Sequence, residues 1–98
     1  MFGRNGEAPV PIVAPKSPSD CFMAAVEAVR IAVKYRTPVF LLTDGALANG
    51  AEPWLLPDLD AIPAIDPNFL EKPNHQIDGV DVLWPFKRDS ETLARPWI

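Results

Sequence analysis

A short glycine-rich loop near the amino terminus holds the residues best suited to touch a ligand. Gly3, Arg4, Asn5 and Gly6 stand in sequence and are followed by Glu7. Glycine lets the backbone approach a bound group closely, and an arginine side chain can bind a phosphate or a carboxylate. The loop has neither the length nor the Lys-Ser/Thr ending of a phosphate-binding loop. We therefore predict a loop near an active site, and the alternative is a tight surface turn that leads into a strand.

A second polar cluster stands directly after an apolar segment. Thr43, Asp44 and Gly45 follow the apolar residues 39–42. The carboxyl ends of parallel strands are where open α/β sheets bind their ligands. Asp44 is therefore a candidate to hydrogen-bond a substrate or a partner. The alternative, which is the commoner role of an aspartate at such a position, is to cap the turn that follows.

The other side chains of catalytic type do not form a recognisable set. The sequence has one histidine, His75, and one histidine does not support a nucleophile–histidine–acid arrangement. Cys21 lies near a predicted helix start, where thiols can be activated, but its neighbour Phe22 favours a buried, unreactive thiol. We therefore predict no catalytic residue and a structural role for His75. Five acidic residues of the second half match no calcium-binding loop, so we also predict no metal ligand; they are Asp58, Asp60, Asp66, Asp78 and Asp81.

A strand, a helix and a second strand would position the first two clusters. Apolar residues bracketed by prolines predict a short strand over residues 12–14. The continuous apolar run over residues 39–42 predicts a strand that is covered on both faces. A strand, a crossover helix and a second strand form a βαβ unit, in which the two strands are parallel and the crossover is right-handed.

The predicted helix has clear signals at both ends. Ser17 is a capping residue, Pro18 suits the first helical position, and an acidic residue follows at Asp20. The pattern continues to Tyr35 and ends before the Thr37-Pro38 pair. A single apolar stripe and a narrow polar face predict a helix that is mostly buried. The stripe consists of Phe22, Val26, Val29 and Val33.

The second half of the chain is rich in proline and tryptophan. The protein has 12 prolines in 98 residues, and all three tryptophans follow Gly45. No helix is predicted after Gly45 apart from one helical turn over residues 89–95. Because disordered linkers are poor in such aromatic anchors, we predict an ordered arm whose aromatic side chains dock on another surface. The predicted fold is α/β: a partial open parallel sheet, with one βαβ unit in residues 1–45, followed by an extended proline-rich arm over residues 46–98.

Composition excludes some classes of partner and location. The net charge is −4, divided into +1 for residues 1–44 and −5 for residues 45–98. Such a chain lacks the clustered basic residues of a nucleic-acid-binding surface. A single cysteine fits a reducing compartment, and no apolar run is long enough for a membrane span. We therefore predict a cytoplasmic protein that binds neither nucleic acid nor membrane, and two strands with one helix are too few to fold alone.

Several segments, in the same order as in a known family, resemble the alpha subunit of 2-oxoacid:ferredoxin oxidoreductases, and most closely the 2-oxoglutarate type. The resemblance covers nearly all 98 residues and is more specific than any one short motif. The segments are FGRNGEAPV (residues 2–10), APKSPSDCF (14–22), KYRTPV (34–39), LLTDG (41–45), LANGAEPW (47–54), KPNH (72–75), WPFKRD (84–89) and LARPW (93–97).

The resemblance implies an enzyme that oxidatively decarboxylates a 2-oxoacid, forms an acyl-CoA and passes electrons to ferredoxin. It implies thiamine diphosphate with magnesium as cofactor, and a partner beta subunit that carries an iron–sulfur cluster. Residues 1–45 would be the end of the pyrimidine-type thiamine domain, and residues 46–98 would be the connector that follows it. The family's cofactor-activating carboxylate has no counterpart here, so this part of the enzyme is expected to be structural and to hold no cofactor alone. A different class of function also remains open, namely a free-standing, non-catalytic assembly module that binds a partner through its tryptophan-rich arm.

Overall fold

Two short parallel strands joined by a helix begin the structure, a computed structural model that describes residues 9–98. The strands are β1 (Ile12–Val13) and β2 (Phe40–Leu41), and helix α1 (Cys21–Tyr35) connects them and packs on both. The register pairs Ile12 with Phe40, and the N–H of Phe40 donates to the carbonyl of Pro11 (3.0 Å). The predicted parallel β–α–β unit is confirmed, although each strand is shorter than predicted.

The start of α1 is built from local hydrogen bonds. Ser17 Oγ accepts from the N–H of Asp20 (3.3 Å), and Asp20 Oδ2 accepts from the N–H of Lys16 (3.0 Å). These bonds fix a turn over residues 18–20, and the regular helix begins only at Cys21. The predicted helix start at Pro18 is therefore wrong: Ser17 caps the turn over residues 18–20, which we call the entry turn, and the α-helix begins four residues after Ser17. At the other end Arg36 adopts the left-handed conformation (φ 50°), which ends the helix before Pro38.

The face of α1 that is most buried is lined by small residues. Ala24 and Ala28 are buried, whereas Val29, part of the predicted apolar stripe, is exposed over 51% of its surface. The predicted stripe is therefore wrong at Val29. Alanine side chains let the helix backbone approach the strands closely, and this moves the contact face away from the line of larger side chains.

Strand β2 is open to solvent, contrary to the prediction of a strand covered on both faces. Phe40, Leu41 and Leu42 are all exposed, because one neighbouring strand and one helix leave the remaining surface of β2 uncovered. The chain is correspondingly open, with a radius of gyration of 17.6 Å, where a compact domain of this length has about 13 Å.

Residues after Asp44 form more regular structure than the predicted extended arm, and the arm is not confirmed. Helix α2 (Gly45–Asn49) begins at once, so the prediction of no helix there is wrong. A short 3₁₀ helix (Leu59–Ala61) follows, and then strands β3 (His75–Ile77) and β4 (Val80–Val82) form an antiparallel hairpin.

The hairpin turn is made by an aspartate and a glycine in left-handed conformations. Asp78 has φ 51° and Gly79 has φ 79°, which suits the tight two-residue turns that match the twist of paired strands. The dipeptide is among the strongest hairpin signals in a sequence, and the sequence analysis did not use it.

The end of the chain returns to the carboxyl end of α1. The N–H of Arg95 donates to the carbonyl of Lys34 (3.0 Å), and Trp97 Nε1 donates to the carbonyl of Val33 (2.9 Å). Arg88 Nη1 donates to the carbonyl of Tyr35 (3.2 Å). We call residues 88–97 the C-terminal clasp, since it satisfies three carbonyls that the last turn of a helix leaves without partners.

The clasp is shaped by its own first turn. Asp89 Oδ1 accepts from the N–H groups of Glu91 (3.0 Å) and Thr92 (2.7 Å), and the N–H of Leu93 donates to the carbonyl of Asp89 (3.1 Å). The helical turn predicted over residues 89–95 is found only as a hydrogen-bonded turn over residues 90–92, because Leu93 adopts a left-handed conformation (φ 61°) that ends it. The Thr92 and Glu91 hydrogen bonds also lower the pKa of the Asp89 carboxyl. Among the described residues, no helix is both long and apolar enough to cross a membrane.

Candidate functional site at the carboxyl edge of the parallel strands

The loops that leave the carboxyl ends of β1 and β2 meet at one edge of the sheet. This is the edge at which open α/β sheets place their ligands. Asp44 lies here with extended backbone, and its Oδ1 accepts from the N–H of Leu47 (2.8 Å). Asp44 therefore caps α2, which confirms the commoner of the two roles predicted for it.

Glu52 ties the two loops together, and the sequence analysis missed it. Its Oε1 accepts from the backbone N–H of Ser19 at 2.6 Å, across 33 residues of sequence. Hydrogen bonds from the Ser19 side chain and backbone hold the pKa of the Glu52 carboxyl below its usual value. The available signal was the position of Glu52 between the turn residue Gly50 and Pro53, which places a carboxylate three residues after the end of α2.

Gly50 allows the close approach of the two loops. A Cβ atom at this position would lie 2.5 Å from the carbonyl oxygen of Ala46 and 3.3 Å from Pro18 Cγ. Both distances are shorter than ordinary carbon contacts, and the nearer one is to backbone. Only glycine therefore fits where α2 ends against the entry turn of α1.

A small cleft lies beside this contact. It has a volume of about 210 Å³ and is lined by Pro18, Ser19, residues 50–52 and Trp54. The Trp54 ring contacts the Phe22 ring of α1, with centroids 5.8 Å apart and planes inclined at 48°. The cleft thus has an aromatic wall and one carboxylate.

The chemistry available in the cleft is limited. The Glu52 carboxylate accepts from a backbone N–H, and the hydroxyl groups of Ser17 and Ser19 lie 3.3 Å apart, within hydrogen-bonding distance. Among residues 9–98, no histidine or cysteine lines the cleft to serve as base or nucleophile. These groups hold loops in place, and we assign none of them a catalytic step.

The other predicted positions lie apart from the cleft or outside the described residues. Gly3, Arg4, Asn5 and Gly6 belong to the part of the chain that the structure does not describe, so the predicted active-site-proximal loop stays a prediction. Cys21 is half-buried at the start of α1, and its Sγ lies 3.6 Å from the carbonyl oxygen of Ser17.

His75 serves the hairpin. Its ring lies 5.6 Å from the Trp84 ring, inclined at 32°, and Trp84 in turn contacts Phe86 at 5.7 Å. Asn74 bridges the same region, since its side chain donates to the carbonyl of Trp84 (3.0 Å) and accepts from the N–H of Trp84 (2.7 Å). These contacts give His75 a structural role, as predicted.

The family is decided by comparison with known proteins. The family described as pyruvate flavodoxin/ferredoxin oxidoreductase, thiamine diphosphate-binding, matches residues 1–94. The chain belongs to this thiamine diphosphate-binding family. The resemblance found from the sequence motifs is confirmed by this match.

Two relatives within the family are named for 2-oxoglutarate. The 2-oxoglutarate oxidoreductase subunit KorA of Mycobacterium tuberculosis is 56% identical over 95 residues, which is 97% of this chain and 14% of the relative. The 2-oxoglutarate synthase subunit KorA of Archaeoglobus fulgidus is 32% identical over 78 residues, which is 80% of this chain and 21% of the relative. The chain thus spans a minor part of the length of each. No solved structure matches the chain.

The side chains that commonly ligate metal ions are not clustered in the described residues. Within residues 9–98, no group of three or more histidine, cysteine, aspartate and glutamate side chains is arranged to hold a metal ion. Carboxylate and carbonyl oxygens are the ligands that bind a magnesium ion together with phosphate. We therefore derive no reaction step through the cofactor from these residues.

Proposed function

We propose that this chain is part of the alpha-type subunit of a thiamine diphosphate-dependent 2-oxoglutarate:ferredoxin oxidoreductase. The enzyme would oxidatively decarboxylate the 2-oxoacid, form an acyl-CoA and pass the electrons to ferredoxin. Magnesium would accompany the thiamine cofactor, and a partner beta subunit would carry an iron–sulfur cluster. The compartment that we propose is the cytoplasm.

One observation carries this proposal. The chain shares 56% identity over 97% of its length with a subunit named for 2-oxoglutarate oxidoreductase. The second relative, from an archaeon, is also named for 2-oxoglutarate. Agreement between two distant relatives supports 2-oxoglutarate over other 2-oxoacids as the substrate.

The role that we propose for the described residues is structural. Residues 1–45 would contribute the β1–α1–β2 unit to the open sheet of a pyrimidine-type thiamine domain. The exposed apolar residues of β2 support this division, because a strand of this composition is normally covered by further strands and helices. Residues 46–98 would connect that domain to the rest of the subunit.

The alternative of a module that binds through its tryptophans receives no support from the contacts. Trp84 and Trp97 are half-buried and contact other residues of the same chain, and Trp54 contacts Phe22. Trp97 packs on α1 of the same chain, and the predicted docking of aromatic side chains on another surface stays a prediction.

The test is substrate-dependent electron transfer by the assembled enzyme that contains this chain. We expect reduction of ferredoxin that requires 2-oxoglutarate, CoA and thiamine diphosphate, with kcat/KM for 2-oxoglutarate at least tenfold above that for pyruvate. Turnover that prefers pyruvate would overturn the assignment of the substrate. Turnover that is independent of thiamine diphosphate would overturn the proposal as a whole.

A further inference from the structure

An asparagine followed by a glycine stands at the end of α2. Asn49 is the last residue of that helix, and Gly50 follows it with extended backbone (φ −78°, ψ 166°). Both residues are exposed to solvent. The side-chain amide of an asparagine can be attacked by the backbone nitrogen of the next residue, and a glycine there has no Cβ atom to obstruct the attack. The pair is therefore a candidate for a chemical modification that needs only water.

The other asparagines of the described residues lack this combination. Asn68 is followed by a phenylalanine and Asn74 by a histidine, so a bulky side chain stands beside the attacking nitrogen in both. The side chain of Asn74 is also held by two hydrogen bonds to the backbone of Trp84 (2.7 and 3.0 Å). Within residues 9–98, Asn49 is thus the one asparagine that directly precedes a glycine.

In the folded chain, a hydrogen bond holds the Asn49 side chain away from the reaction. Asn49 Nδ2 donates to the carbonyl of Gly45 (3.0 Å), one turn back along the helix. Attack on Asn49 Cγ requires the side chain to leave this carbonyl and approach the backbone nitrogen of Gly50. The rate of the reaction therefore depends on how often the last turn of α2 opens.

Helix α2 has little to keep it closed. It consists of five residues, and none of them is buried. Helices this short are marginal in water, so their stability must come from capping and tertiary contacts. The start of α2 depends on the Asp44 carboxylate, which accepts from the N–H of Leu47 (2.8 Å). Because segments with few buried contacts open locally at low cost in free energy, we expect Asn49 to be released often.

We propose that Asn49 deamidates spontaneously, and that the reaction releases the contact between α2 and the entry turn of α1. The inference does not rest on the enzyme function proposed above. Asn49 thereby acts as a chemical timer: an unmodified chain keeps the two loops together, and an aged chain loses that contact.

The reaction exchanges one ammonia for one water, and nothing is oxidised or reduced. The Gly50 nitrogen gives its proton to hydroxide and forms a bond to Asn49 Cγ. The bond from Cγ to Nδ2 breaks, and Nδ2 leaves as ammonia with a proton taken from water, so that a cyclic imide remains. Water then opens the ring and returns a proton to the Gly50 nitrogen. Opening at Cγ gives aspartate, and opening at the backbone carbonyl carbon of Asn49 gives isoaspartate.

Both products disturb the end of α2. The new carboxylate cannot donate to the Gly45 carbonyl, and it places a negative charge at the end of a helix that disfavours one. Isoaspartate also adds one carbon atom to the main chain before Gly50, where a Cβ atom would already lie 2.5 Å from the Ala46 carbonyl oxygen. The chain after Gly50 must therefore shift, and Glu52, which accepts from the N–H of Ser19 (2.6 Å), lies two residues further on.

The first test is incubation of the complete subunit that contains this chain in mildly alkaline buffer, followed by peptide mapping with mass spectrometry. We expect deamidation at Asn49 to be at least tenfold faster than at Asn68 or Asn74, with isoaspartate as well as aspartate among the products. Equal rates at the three asparagines would overturn the proposal, and this is also the result expected if the rest of the polypeptide holds α2 closed.

A pair of variants tests whether opening of α2 controls the rate. Asp44→Ala removes the cap of α2 and should raise the rate at Asn49 at least threefold, while the rate at Asn74 stays unchanged. Asp44→Ser is the matched control, because serine also caps helices and should keep the rate at Asn49 within twofold of its original value. A rate at Asn49 that does not respond to Asp44→Ala would contradict control by α2.

Release of the contact is measured on the deamidated protein, which ion exchange separates from the unmodified protein by its additional negative charge. We expect hydrogen exchange at the Ser19 amide to be at least fivefold faster in the deamidated form, with exchange in the last turn of α1 unchanged. Asn49→Asp reproduces the aspartate product without the longer main chain, and it should show the smaller part of this effect. Unchanged exchange at the Ser19 amide of the deamidated form would overturn the release of the contact.

Discussion

The two ends of helix α1 are fixed by different kinds of contact. At the amino end, Ser17 and Asp20 make hydrogen bonds to backbone groups three and four residues away. At the carboxyl end, the carbonyls of residues 33–35 accept hydrogen bonds from the C-terminal clasp, more than fifty residues further along the chain. The amino end thus combines these local bonds with the hydrogen bond from Ser19 to Glu52, whereas all three carbonyls at the carboxyl end depend on how the second half of the chain returns.

The carboxyl end of α1 is also surrounded by arginine side chains. The clasp places the Arg36 guanidinium 4.5 Å from the centre of the Trp97 ring, and Arg36 Nη1 also donates to the carbonyl of Pro96 (2.8 Å). Burial, followed by the positive charges of Arg36 and Arg88, lowers the pKa of the Arg95 guanidinium. The positive charges lie at the negative end of the helix dipole, where cations are favourable.

The largest expected effect comes from breaking the clasp at Trp97. Trp97→Ala removes the hydrogen bond to Val33, the contact with Arg36 and the packing of a half-buried ring. We expect the free energy for local opening of the last turn of α1 to fall by about 2–4 kcal/mol, measured by hydrogen exchange of its backbone amides. Trp97→Phe is the control, which keeps a ring beside Arg36 and should recover more than half of the loss. An unchanged exchange rate in Trp97→Ala would mean that the clasp does not hold the helix.

The next effect tests the contact between α2 and the entry turn of α1. Gly50→Ala places a Cβ atom 2.5 Å from the Ala46 carbonyl oxygen, so the end of α2 must shift. We expect a loss of about 1–3 kcal/mol of stability in the subunit, measured by chemical denaturation. Gly45→Ala is the matched control, because no atom lies within 4 Å of the added Cβ atom and alanine suits a helix better than glycine. Equal losses in both variants would show that the short distance at Gly50 is not the cause.

A smaller effect is expected at the amino end of α1. Ser17→Ala removes the oxygen that accepts from the N–H of Asp20, and such caps contribute about 1 kcal/mol. Ser17→Thr keeps an oxygen in place and serves as the control. Hydrogen exchange should report faster opening of the first turn of α1 while the last turn is unchanged. Faster exchange at both ends would contradict the independence of the two ends.

The contrast between the two ends also explains what the sequence could predict. The strand, helix and strand order and the proline stop are local patterns that the structure confirms, whereas the capping serine acts on the turn before the helix and not on the helix start itself. Asp44 initiates α2 by the same kind of local hydrogen bond, and the prediction of no helix was wrong because Asn49-Gly50 and the prolines that follow are typical of turns. The Asp78-Gly79 turn is a further local signal that was available but not used.

Contacts across long sequence separations could not be predicted in this way. Glu52 reaches Ser19 across 33 residues, and Trp97 reaches Val33 across 64 residues. No periodicity or spacing in the sequence links the two members of either pair. From the sequence alone, Glu52 therefore looks like any exposed acid, and Trp97 looks like any aromatic side chain without a contact. The apolar stripe failed at Val29 for a related reason, since the buried face of α1 depends on how closely the strands approach Ala24 and Ala28.

The smallest expected effect is the pH dependence of the Glu52–Ser19 contact. The Ser19 hydrogen bonds lower the pKa of Glu52 from its usual value of 4.5, so the folded state favours the ionised carboxylate. The contact therefore stabilises the structure fully above about pH 4.5, and this contribution is lost as the pH falls through the lower folded pKa. Because Glu52 is exposed to solvent, we expect a local change and not global unfolding.

The measurement is the backbone amide of Ser19, whose NMR shift and exchange rate should titrate with the Glu52 carboxyl below pH 4.5. Glu52→Gln should abolish this titration while a neutral acceptor keeps the amide partly protected. Asp89, whose pKa is also lowered by local hydrogen bonds, is the internal comparison within the clasp. If the Ser19 amide titrates together with the Thr92 amide in Glu52→Gln, protonation of Asp89 in the clasp changes the amino end of α1, and the two ends of the helix are coupled.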